Sequence, residues 1–561
     1  MHWLDWIVIA SYFGLIGWVA WWYGRNQKDT ADYFLAGRNA GWVVIGASIF
    51  TSNIGSEHIV GLAGQGAATG MAMAHWELHA WVLILLAGLF VPFYYKSGVE
   101  TIPQFLEKRF SARTRWILSC VSLVAYVFTK VSVTVYAGAI VFQALLPDTF
   151  GSPDNAFWFG AFATVIITGV YTVFGGMRAI MATAAPQAVI ILFGSAVITW
   201  IGLGKLGGWG ELITACKANS ANFALWRPLS DPDFPWLGVL IASPIIGIWY
   251  WCTDQYIVQR TLSAKDLATA RRGALFGGLL KVTPVLIFLI PGMIGWALHQ
   301  KGLIHIPLKM LNGVEVIDGD RVFPTLVTAL LPMGIRGLIV ACLLAALMSS
   351  LASLFNSSAS LFTVDVYEKL RPGRSQQHLL LVGRIATGVV VGLGIIWIPV
   401  MKQISGGGLY QYLQSVQGYL APPITAVFLL GLFWPRINSA GATWGLGAGF
   451  VLGMIKLALQ GFFGAGEGKI HEPAFLAAIG DFNFLYATGV LFALSAIIII
   501  VASFMTPPPP IEKIRGLTYG SIHHDAATEI QSSWDLGNKL MAGLILLLVG
   551  GMYLYFSFWL N

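Results

Sequence analysis

Charged residues are scarce in this chain of 561 residues: aspartate, glutamate, lysine and arginine together make up only 11% of it. A soluble globular protein carries about 25%, whereas hydrophobic residues here reach 57%. This composition excludes a soluble enzyme and indicates a protein that lies within a lipid bilayer. The net charge of +7 does not indicate nucleic-acid binding, because the basic residues are divided among short loops.

Cysteine is also rare. The chain has four, Cys120, Cys216, Cys252 and Cys342, and their spacing is not that of metal ligands. Three of them lie in apolar segments, which argues against a disulfide framework. No nucleophile lies beside a base, so we expect no enzymatic activity; a membrane enzyme that uses His58 and Glu77 is a remote alternative. No basic segment precedes the apolar stretch Trp3–Tyr23, which predicts an uncleaved first membrane helix.

Apolar segments long enough to cross a bilayer are the dominant feature of the chain. They predict about fourteen transmembrane helices, at Trp3–Tyr23, Gly41–Gly70, His75–Tyr95, Trp116–Leu146, Ala156–Phe174, Ile180–Gly204, Trp236–Gln259, Gly273–Leu298, Phe323–Tyr367, Leu379–Met401, Leu409–Phe433, Ala440–Phe463, Phe484–Met505 and Asn538–Leu560.

The basic residues fall on alternate loops between these segments. One set of loops carries Arg25, Lys28, Arg38, Lys96, Lys108, Arg109, Arg113, Arg115, Arg178, Arg260, Lys265, Arg271, Arg272, Lys369, Arg371 and Arg374. The other set carries more acids, among them Asp231, Asp233, Asp318 and Asp320. Since positive loops stay in the cytoplasm, we expect a multi-pass protein of the cell membrane with both termini outside. The Pro507–Pro510 run excludes regular structure and begins a cytoplasmic linker.

Two of the predicted helices contain interruptions. The run Ser52-Asn53-Ile54-Gly55-Ser56 breaks the second, and Ser243-Pro244-Ile245-Ile246-Gly247 breaks the seventh. Proline removes a backbone donor and glycine adds conformational freedom. Paired breaks at matching positions of two halves point to a transporter built from inverted repeats.

This pattern divides the chain into seven parts. They are residues 1–40, the first helix and a cytoplasmic loop; 41–204, a first repeat of five helices; 205–235, an outer loop; 236–433, a second repeat of five; 434–505, two additional helices; 506–537, a cytoplasmic linker; and 538–561, the final helix.

Lys281 is the most informative single residue, because it lies about 13 Å along a membrane helix that begins after Arg272. A lysine at that depth costs at least about 2.5 kcal/mol unless the protein compensates it, so we expect it to face an internal cavity. Asn53, His58, Glu77 and Gln414 are candidate partners there. Their mixture of donors and acceptors suits a polyol, although packing and solvated positions are the alternative explanation for each.

Several long motifs carry a resemblance to a known family. They are Gly46-Ala47-Ser48-Ile49-Phe50-Thr51-Ser52-Asn53-Ile54-Gly55-Ser56, Tyr250-Trp251-Cys252-Thr253-Asp254-Gln255, Leu347-Met348-Ser349-Ser350-Leu351 and Tyr419-Leu420-Ala421-Pro422-Pro423. The chain resembles the sodium/solute symporter family, and within it the sodium/glucose cotransporter branch, from about Ala36 to Arg436. The resemblance implies an all-α membrane protein with a leucine-transporter-type core of two inverted five-helix repeats and additional helices.

The resemblance also implies roles for individual residues. Substrate-binding positions would be Asn53, His58, Glu77, Tyr250, Trp251, Lys281 and Gln414. Gates would be Trp76 and Tyr410 on the outer side and Tyr250 on the inner side. A Na⁺ would bind carbonyl oxygens of Thr51, Ile54 and Ala346 and hydroxyl groups of Ser349 and Ser350. The implied partners are a small sugar, sodium and the lipid membrane, with no nucleic acid and no obligatory protein partner.

The chain departs from the family where relatives with a second sodium site carry an aspartate. Ala184 stands at that position, and Ala352 replaces a hydroxyl residue. We therefore expect a sodium-coupled symporter that imports a neutral hexose, such as glucose or galactose, by alternating access with one Na⁺ per sugar. The same fold with another solute, such as myo-inositol, sialic acid or proline, is the nearest alternative, followed by a sugar-gated sensor or channel.

Overall fold

The computed structural model describes residues 2–25, 27–146, 149–311, 314–404, 409–466, 468–521 and 524–561. Within these ranges it describes every side chain except those at positions 56–57, 128–129, 311, 314, 400–404, 409–412 and 524–527. The described residues form a bundle of helices and a short antiparallel hairpin of β1 (Leu308–Leu311) and β2 (Val314–Ile317).

The described residues up to position 206 form eleven α-helical segments. They are α1 (Trp3–Gly24), α2 (Thr30–Leu35), α3 (Trp42–Asn53), α4 (Ser56–Thr69), α5 (Ala74–Glu77), α6 (Ala80–Leu85), α7 (Val91–Ser97), α8 (Ile102–Arg109), α9 (Ala112–Ala125), α10 (Ser132–Leu145) and α11 (Pro153–Leu206). The predicted outer loop, residues 205–235, holds the short helices α12 (Trp209–Lys217) and α13 (Ser220–Phe223).

The second part contains the remaining helices. They are α14 (Trp236–Ile248), α15 (Gln255–Leu262), α16 (Leu267–Lys281), α17 (Ile290–Gln300), α18 (Gly319–Leu330), α19 (Ile335–Ser360), α20 (Glu368–Leu370), α21 (Gln376–Ile404), α22 (Leu409–Phe433), α23 (Ser439–Phe462), α24 (Ala474–Asp481), α25 (Phe484–Phe504), α26 (His524–Ser532) and α27 (Leu536–Phe558).

Eleven helical stretches of the described chain are long and apolar enough to cross a membrane. One of them, α11, covers both the fifth and the sixth predicted spans. It is divided between them at Gly176, whose φ of 52° is not helical. A β-carbon at Gly176 would also lie 2.7 Å from the Tyr33 ring, so glycine is required there for two reasons. The second predicted span is divided into α3 and α4, and the fourth into α9 and α10. Of these, α3 and α10 are apolar but shorter than a full membrane span.

The structure confirms the first predicted interruption and corrects the second. Helix α3 ends at Asn53 and α4 begins at Ser56, as the polar run predicts. The break predicted at Ser243–Gly247 is wrong, because α14 continues through Pro244 to Ile248. Pro244 lacks the N–H that would donate to the Leu240 carbonyl, yet the helix is not ended by it. The Thr425 hydroxyl of α22 donates to the Ile245 carbonyl at 2.9 Å, which joins the two helices next to the proline. The chain leaves the helix later, at Asp254, where the backbone is extended.

The ninth predicted span, Phe323–Tyr367, begins too early. Phe323 belongs to a separate helix, α18, and α19 starts only at Ile335. Gly334 has a φ of 83°, which ends any continuous helix between them. The long apolar run therefore contains two elements, of which only the second is long enough to cross.

Within the described residues, five π-helical segments interrupt the membrane helices, at Leu86–Phe90, Tyr126–Val131, Trp249–Thr253, Val285–Leu289 and Leu361–Tyr367. Segments of this type are frequent at functional sites, because the extra residue per turn reorients the side chains that follow. The segment at Trp249–Thr253 carries Tyr250 and Trp251, two of the predicted substrate residues. Their position in the fold thus depends on this local irregularity.

Close packing between α4 and α17 yields a test of the fold. A β-carbon at Gly292 would lie only 1.9 Å from the Ala63 carbonyl oxygen, so Gly292→Ala must push the helices apart. We expect it to destabilise the protein by about 1–3 kcal/mol, measured as a lower midpoint of thermal unfolding in detergent. Gly543→Ala is the matched control, since nothing lies within 4 Å of its β-carbon; equal midpoints for both variants would contradict this packing.

Candidate functional site

A small cavity lies where the break between α3 and α4 meets α5, α14, α16 and α22. Its volume is about 50 Å³, which is room for about three or four water molecules. The predicted gate residue Trp76 lines it. So do all seven predicted substrate-binding residues, Asn53, His58, Glu77, Tyr250, Trp251, Lys281 and Gln414. The structure thus brings together residues from both predicted repeats. The side chain of the other predicted outer gate, Tyr410, lies outside the described residues.

Lys281 and Glu77 form a buried ion pair at this cavity. The ammonium nitrogen of Lys281 lies 2.6 Å from Oε2 of Glu77, and the two side chains are 3% and 1% exposed. The same ammonium group lies 5.6 Å from the centre of the Trp251 ring, within the range of a cation–π interaction. The expectation that Lys281 faces an internal cavity is confirmed, and its charge is compensated there.

Several polar atoms on residues that line the cavity have no hydrogen-bond partner among the residues that the structure describes. They are Oδ1 of Asn53, Oε1 of Gln414 and Nε1 of Trp76, and all three are buried. The amide nitrogen of Asn53, in contrast, donates to the Tyr250 hydroxyl at 3.0 Å. Since an unpaired buried polar group costs about 1–3 kcal/mol, these atoms are suited to bind a polar ligand.

The residues that sequence reasoning missed include a second buried ion pair, Lys130 with Asp254. The Lys130 ammonium group lies 4.8–5.0 Å from the ring centres of four aromatic residues, and the Tyr126 hydroxyl donates to Asp254. Lys130 lies within the fourth predicted span, so the depth argument that identified Lys281 would have identified it too.

His79 is a further cavity residue that the sequence reasoning did not identify. Its Nε2 lies 2.6 Å from the Ser243 hydroxyl. The neighbouring His75 points away from the cavity, towards the Leu225 carbonyl at 3.0 Å and the Tyr553 hydroxyl at 3.2 Å. Gln417, one turn beyond Gln414 on α22, also lines the cavity.

The predicted sodium ligands lie at the break and on α19. At the break, the Gly55 N–H bonds to the Asn53 carbonyl at 3.1 Å, whereas a regular helix would direct it to the carbonyl of Thr51. The Thr51 carbonyl therefore does not accept the hydrogen bond that the Gly55 N–H would donate to it in a regular helix. Ser52 and Ser353 hydroxyls, 2.7 Å apart, join the two helices at this level.

The residues on α19 have the spacing that the predicted sodium site requires. Ala346, Ser349 and Ser350 stand at positions i, i+3 and i+4, so they share one helix face. The Ser349 hydroxyl is buried without a partner in the described part of the chain, while that of Ser350 lies 3.1 Å from the Tyr256 hydroxyl. Carbonyl and hydroxyl oxygens of this kind can coordinate an alkali cation.

Ala184 lies on α11, and its side chain is fully buried. The helix continues through Pro186 without a second break, so the proline does not distort this position into another conformation. No carboxylate is present at residue 184, which is where the family resemblance places the acid of a second sodium site.

Comparison with known proteins decides the family. The model of the sodium:solute symporter family matches residues 33–449. The chain belongs to the sodium:solute symporter family. Sodium/glucose cotransporter 4 of Danio rerio is 38% identical to this symporter and covers 94% of it and 83% of its own length. Sodium/glucose cotransporter 2 of Rattus norvegicus is 39% identical, covering 92% and 81%.

The relatives differ in the solutes that their names state. The sodium/myo-inositol cotransporter of Homo sapiens is 38% identical to this symporter, covering 92% of it and 75% of its own length. A solved Na⁺-coupled sialic acid symporter superposes with a TM-score of 0.74 at 22% identity, covering 90% and 98% of the two chains. A nucleobase-cation-symport-1 family transporter gives 0.51 at 15% identity, covering 89% and 97%. These structures show the leucine-transporter-type fold.

The membership confirms three of the predictions from sequence. The protein is a multi-pass membrane transporter, it is not an enzyme, and Na⁺ is its coupling ion. The roles of the individual cavity and α19 residues stay predictions.

Proposed function

We propose that this symporter imports a neutral hexose, of the glucose or galactose kind, together with one Na⁺ by alternating access. The observation that carries the proposal is the set of buried cavity atoms without partners: two acceptors, on Asn53 and Gln414, and one donor, on Trp76. A hydroxyl group both donates and accepts a hydrogen bond. A solute with several hydroxyl groups therefore satisfies all three atoms at once, which an apolar or singly functional solute does not.

The charges at the cavity favour a neutral solute over an acid. Lys281 is paired with Glu77, and Lys130 is paired with Asp254. A carboxylate would have to compete with these partners, since buried cations are stable only when they are compensated. This balance speaks against a sialic-acid-like solute, and it leaves myo-inositol, a neutral polyol, as the second candidate because a relative is named for it.

The cavity is smaller than a hexose, so the proposed cycle needs a gate to open. The hydrogen bond between Asn53 and Tyr250 connects the helix break of the first repeat to the proposed inner gate. We propose that Na⁺ bound at the break holds Asn53 in its solute-binding geometry and that the solute then replaces part of this contact. Alternating access follows when the inner and the outer gate open in turn.

One sodium per solute limits the gradient that the transporter builds. A charge that crosses about 100 mV contributes about 2.3 kcal/mol, and a tenfold sodium gradient contributes about 1.4 kcal/mol. Together they support accumulation of about 500-fold. The proposal of a single Na⁺ is supported by Ala184, which offers no carboxylate to a second ion.

We further propose that both termini lie on the extracellular side of the cell membrane, which the distribution of charge supports. Three ion pairs join segments that the proposal places in the cytoplasm: Arg178 with Asp32, Lys96 with Glu529 and Arg272 with Asp535. Each pair requires its two segments to lie on the same side, and the alternation of positive loops assigns that side to the cytoplasm.

The experiment that tests the function is uptake into proteoliposomes. Purified symporter is reconstituted, and labelled glucose, galactose, myo-inositol, proline and sialic acid are offered with and without an inward sodium gradient. We expect uphill accumulation of a hexose only with the gradient. Preference for an amino acid or a carboxylate would refute the hexose proposal, and equilibration without accumulation would indicate a channel.

The indole of Trp76 offers a sharper prediction about specificity. Trp76→Phe keeps an aromatic ring at the gate but replaces the indole by a smaller phenyl ring without the buried N–H donor; the control variant below undergoes the same reduction in ring size. Since one hydrogen bond contributes about 0.5–1.5 kcal/mol, the solute concentration for half-maximal uptake should rise about 3- to 10-fold with little change in the maximal rate. Trp81→Phe is the control, because Trp81 lies on α6 and does not line the cavity. Equal effects in both variants would contradict the assignment.

A further inference from the structure

An apolar groove runs along the outside of the bundle, between the second half of α1 and the first half of α11. Its volume is about 660 Å³. We call it the α1 groove, and define it by the residues Gly17, Ala20, Trp21, Gly24, Arg25, Ile166, Ile167, Val170, Tyr171, Phe174, Gly175 and Arg384. It shares no lining residue with the cavity described above.

Small residues on α1 create the space of the groove. Gly17, Ala20 and Gly24 stand at helical spacing on one face, and nothing lies within 4 Å of a β-carbon placed at Gly17. At Gly24 the two helices meet, because a β-carbon there would lie 2.6 Å from the Cα of Gly175. The groove therefore closes at its Gly24 end and stays open along its length.

The opposite wall presents large apolar side chains outward. Ile166, Val170 and Phe174 are 50%, 54% and 66% exposed, and Trp21 is 62% exposed. In a chain that crosses the membrane, such side chains face lipid tails rather than water. The occupant of this wall must therefore be a hydrocarbon chain.

The closed end of the groove is basic. The Arg25 guanidinium lies 3.8 Å from the centre of the Trp22 ring, and Arg384 donates to the side-chain oxygen of Gln27 at 3.4 Å. Nε of Arg384 is buried without a partner, and neither arginine has a carboxylate partner among the described residues. The neighbouring Arg178, in contrast, is neutralised by Asp32.

We propose that the α1 groove binds one anionic phospholipid, with its phosphate between Arg25 and Arg384 and one acyl chain along α1. A guanidinium group matches phosphate oxygens with two parallel N–H donors, and basic pockets between membrane helices on the cytoplasmic side recognise anionic headgroups. A zwitterionic lipid offers the same chain without net charge. Charge complementarity at the closed end therefore favours an anionic lipid. The lipid site shares no residue with the cavity proposed to bind the transported solute.

Native mass spectrometry of the full-length protein in detergent tests the site, with phosphatidylglycerol and phosphatidylcholine of the same chain length as probes. We expect the parent to retain phosphatidylglycerol at about tenfold lower lipid concentration than phosphatidylcholine. The double variant Arg25→Gln/Arg384→Gln should lose this preference. Arg374→Gln, which removes an exposed cation elsewhere on the proposed cytoplasmic side, should keep it.

A second variant tests the hydrocarbon part of the site. Val170→Trp fills the groove from the exposed face of α11 and should weaken binding of both lipids, while monodispersity on size-exclusion chromatography shows that the fold is intact. Equal retention of the two lipids by the parent would overturn the proposal, as would an unchanged preference in the double arginine variant. Unchanged binding in Val170→Trp would likewise place the lipid elsewhere.

Discussion

Replacing Glu77 by alanine is expected to reduce sodium-driven solute uptake about 10- to 150-fold. The substitution removes a charged hydrogen-bonding group at the cavity, and such a bond contributes about 1.5–3 kcal/mol. It also leaves the Lys281 ammonium group buried without the carboxylate that lies 2.6 Å away. The loss of one partner of a buried pair destabilises a protein by about 3–5 kcal/mol, so unfolding and initial uptake rates must both be measured.

The double variant Glu77→Gln/Lys281→Met separates stability from function. It removes both charges together, and replacing a buried ion pair by neutral groups is often harmless to stability. We expect its thermal midpoint to return towards that of the parent while uptake stays lost. Lys96→Met/Glu529→Gln is the control for an exposed pair, worth about 1 kcal/mol or less. Parental uptake by the Glu77/Lys281 double variant would show that the pair is structural only.

Replacing Ser349 by alanine is expected to raise the sodium concentration for half-maximal uptake about tenfold. The Ser349 hydroxyl is buried on the face of α19 that also carries Ala346 and Ser350, and it has no partner within the described residues. Losing one oxygen ligand removes about 1–1.5 kcal/mol of binding, which corresponds to this factor. Ser350→Ala should act in the same direction, whereas saturating sodium should restore much of the maximal rate.

Ser358→Ala is the matched control for the sodium site. Its hydroxyl is also buried without a described partner on α19, but it lies about 13 Å further along the helix. We expect no change in its sodium dependence. The reversal potential of the parent should give one Na⁺ per solute, and Ala184→Asp should remain sodium-dependent. A parental ratio of two, or equal shifts in Ser349→Ala and Ser358→Ala, would contradict the proposed site.

The interruption in the second span could be predicted, whereas the one in the seventh was placed about ten residues too early. At Ser52–Ser56 a glycine stands among polar residues within an apolar segment, which is a local signal for a helix break that lines a cavity. At Pro244 the local signal fails, because α14 packs against α22 and α25 and continues through the proline to Ile248. A break that depends on a tertiary partner is not visible in local sequence.

The two buried lysines show a similar contrast. Lys281 was identified by its depth in an apolar segment, and the same argument applies to Lys130, whose span contains a π segment that directs it towards the cavity. The partner of neither lysine could be derived from depth alone. The pairs join residues 204 and 124 positions apart, and only the packing of the helices determines which carboxylate is near.

The amino-acid order by itself determined that this protein crosses a membrane many times and that a charged residue lies inside the bundle. Both follow from local physics, since apolar segments avoid water and a lysine avoids hydrocarbon. The tertiary structure decided which groups compensate that lysine, where the seventh helix ends and which polar atoms at the cavity remain without partners. Those features depend on contacts between helices distant in sequence, because a buried charge or polar atom is satisfied only by whatever the fold places beside it.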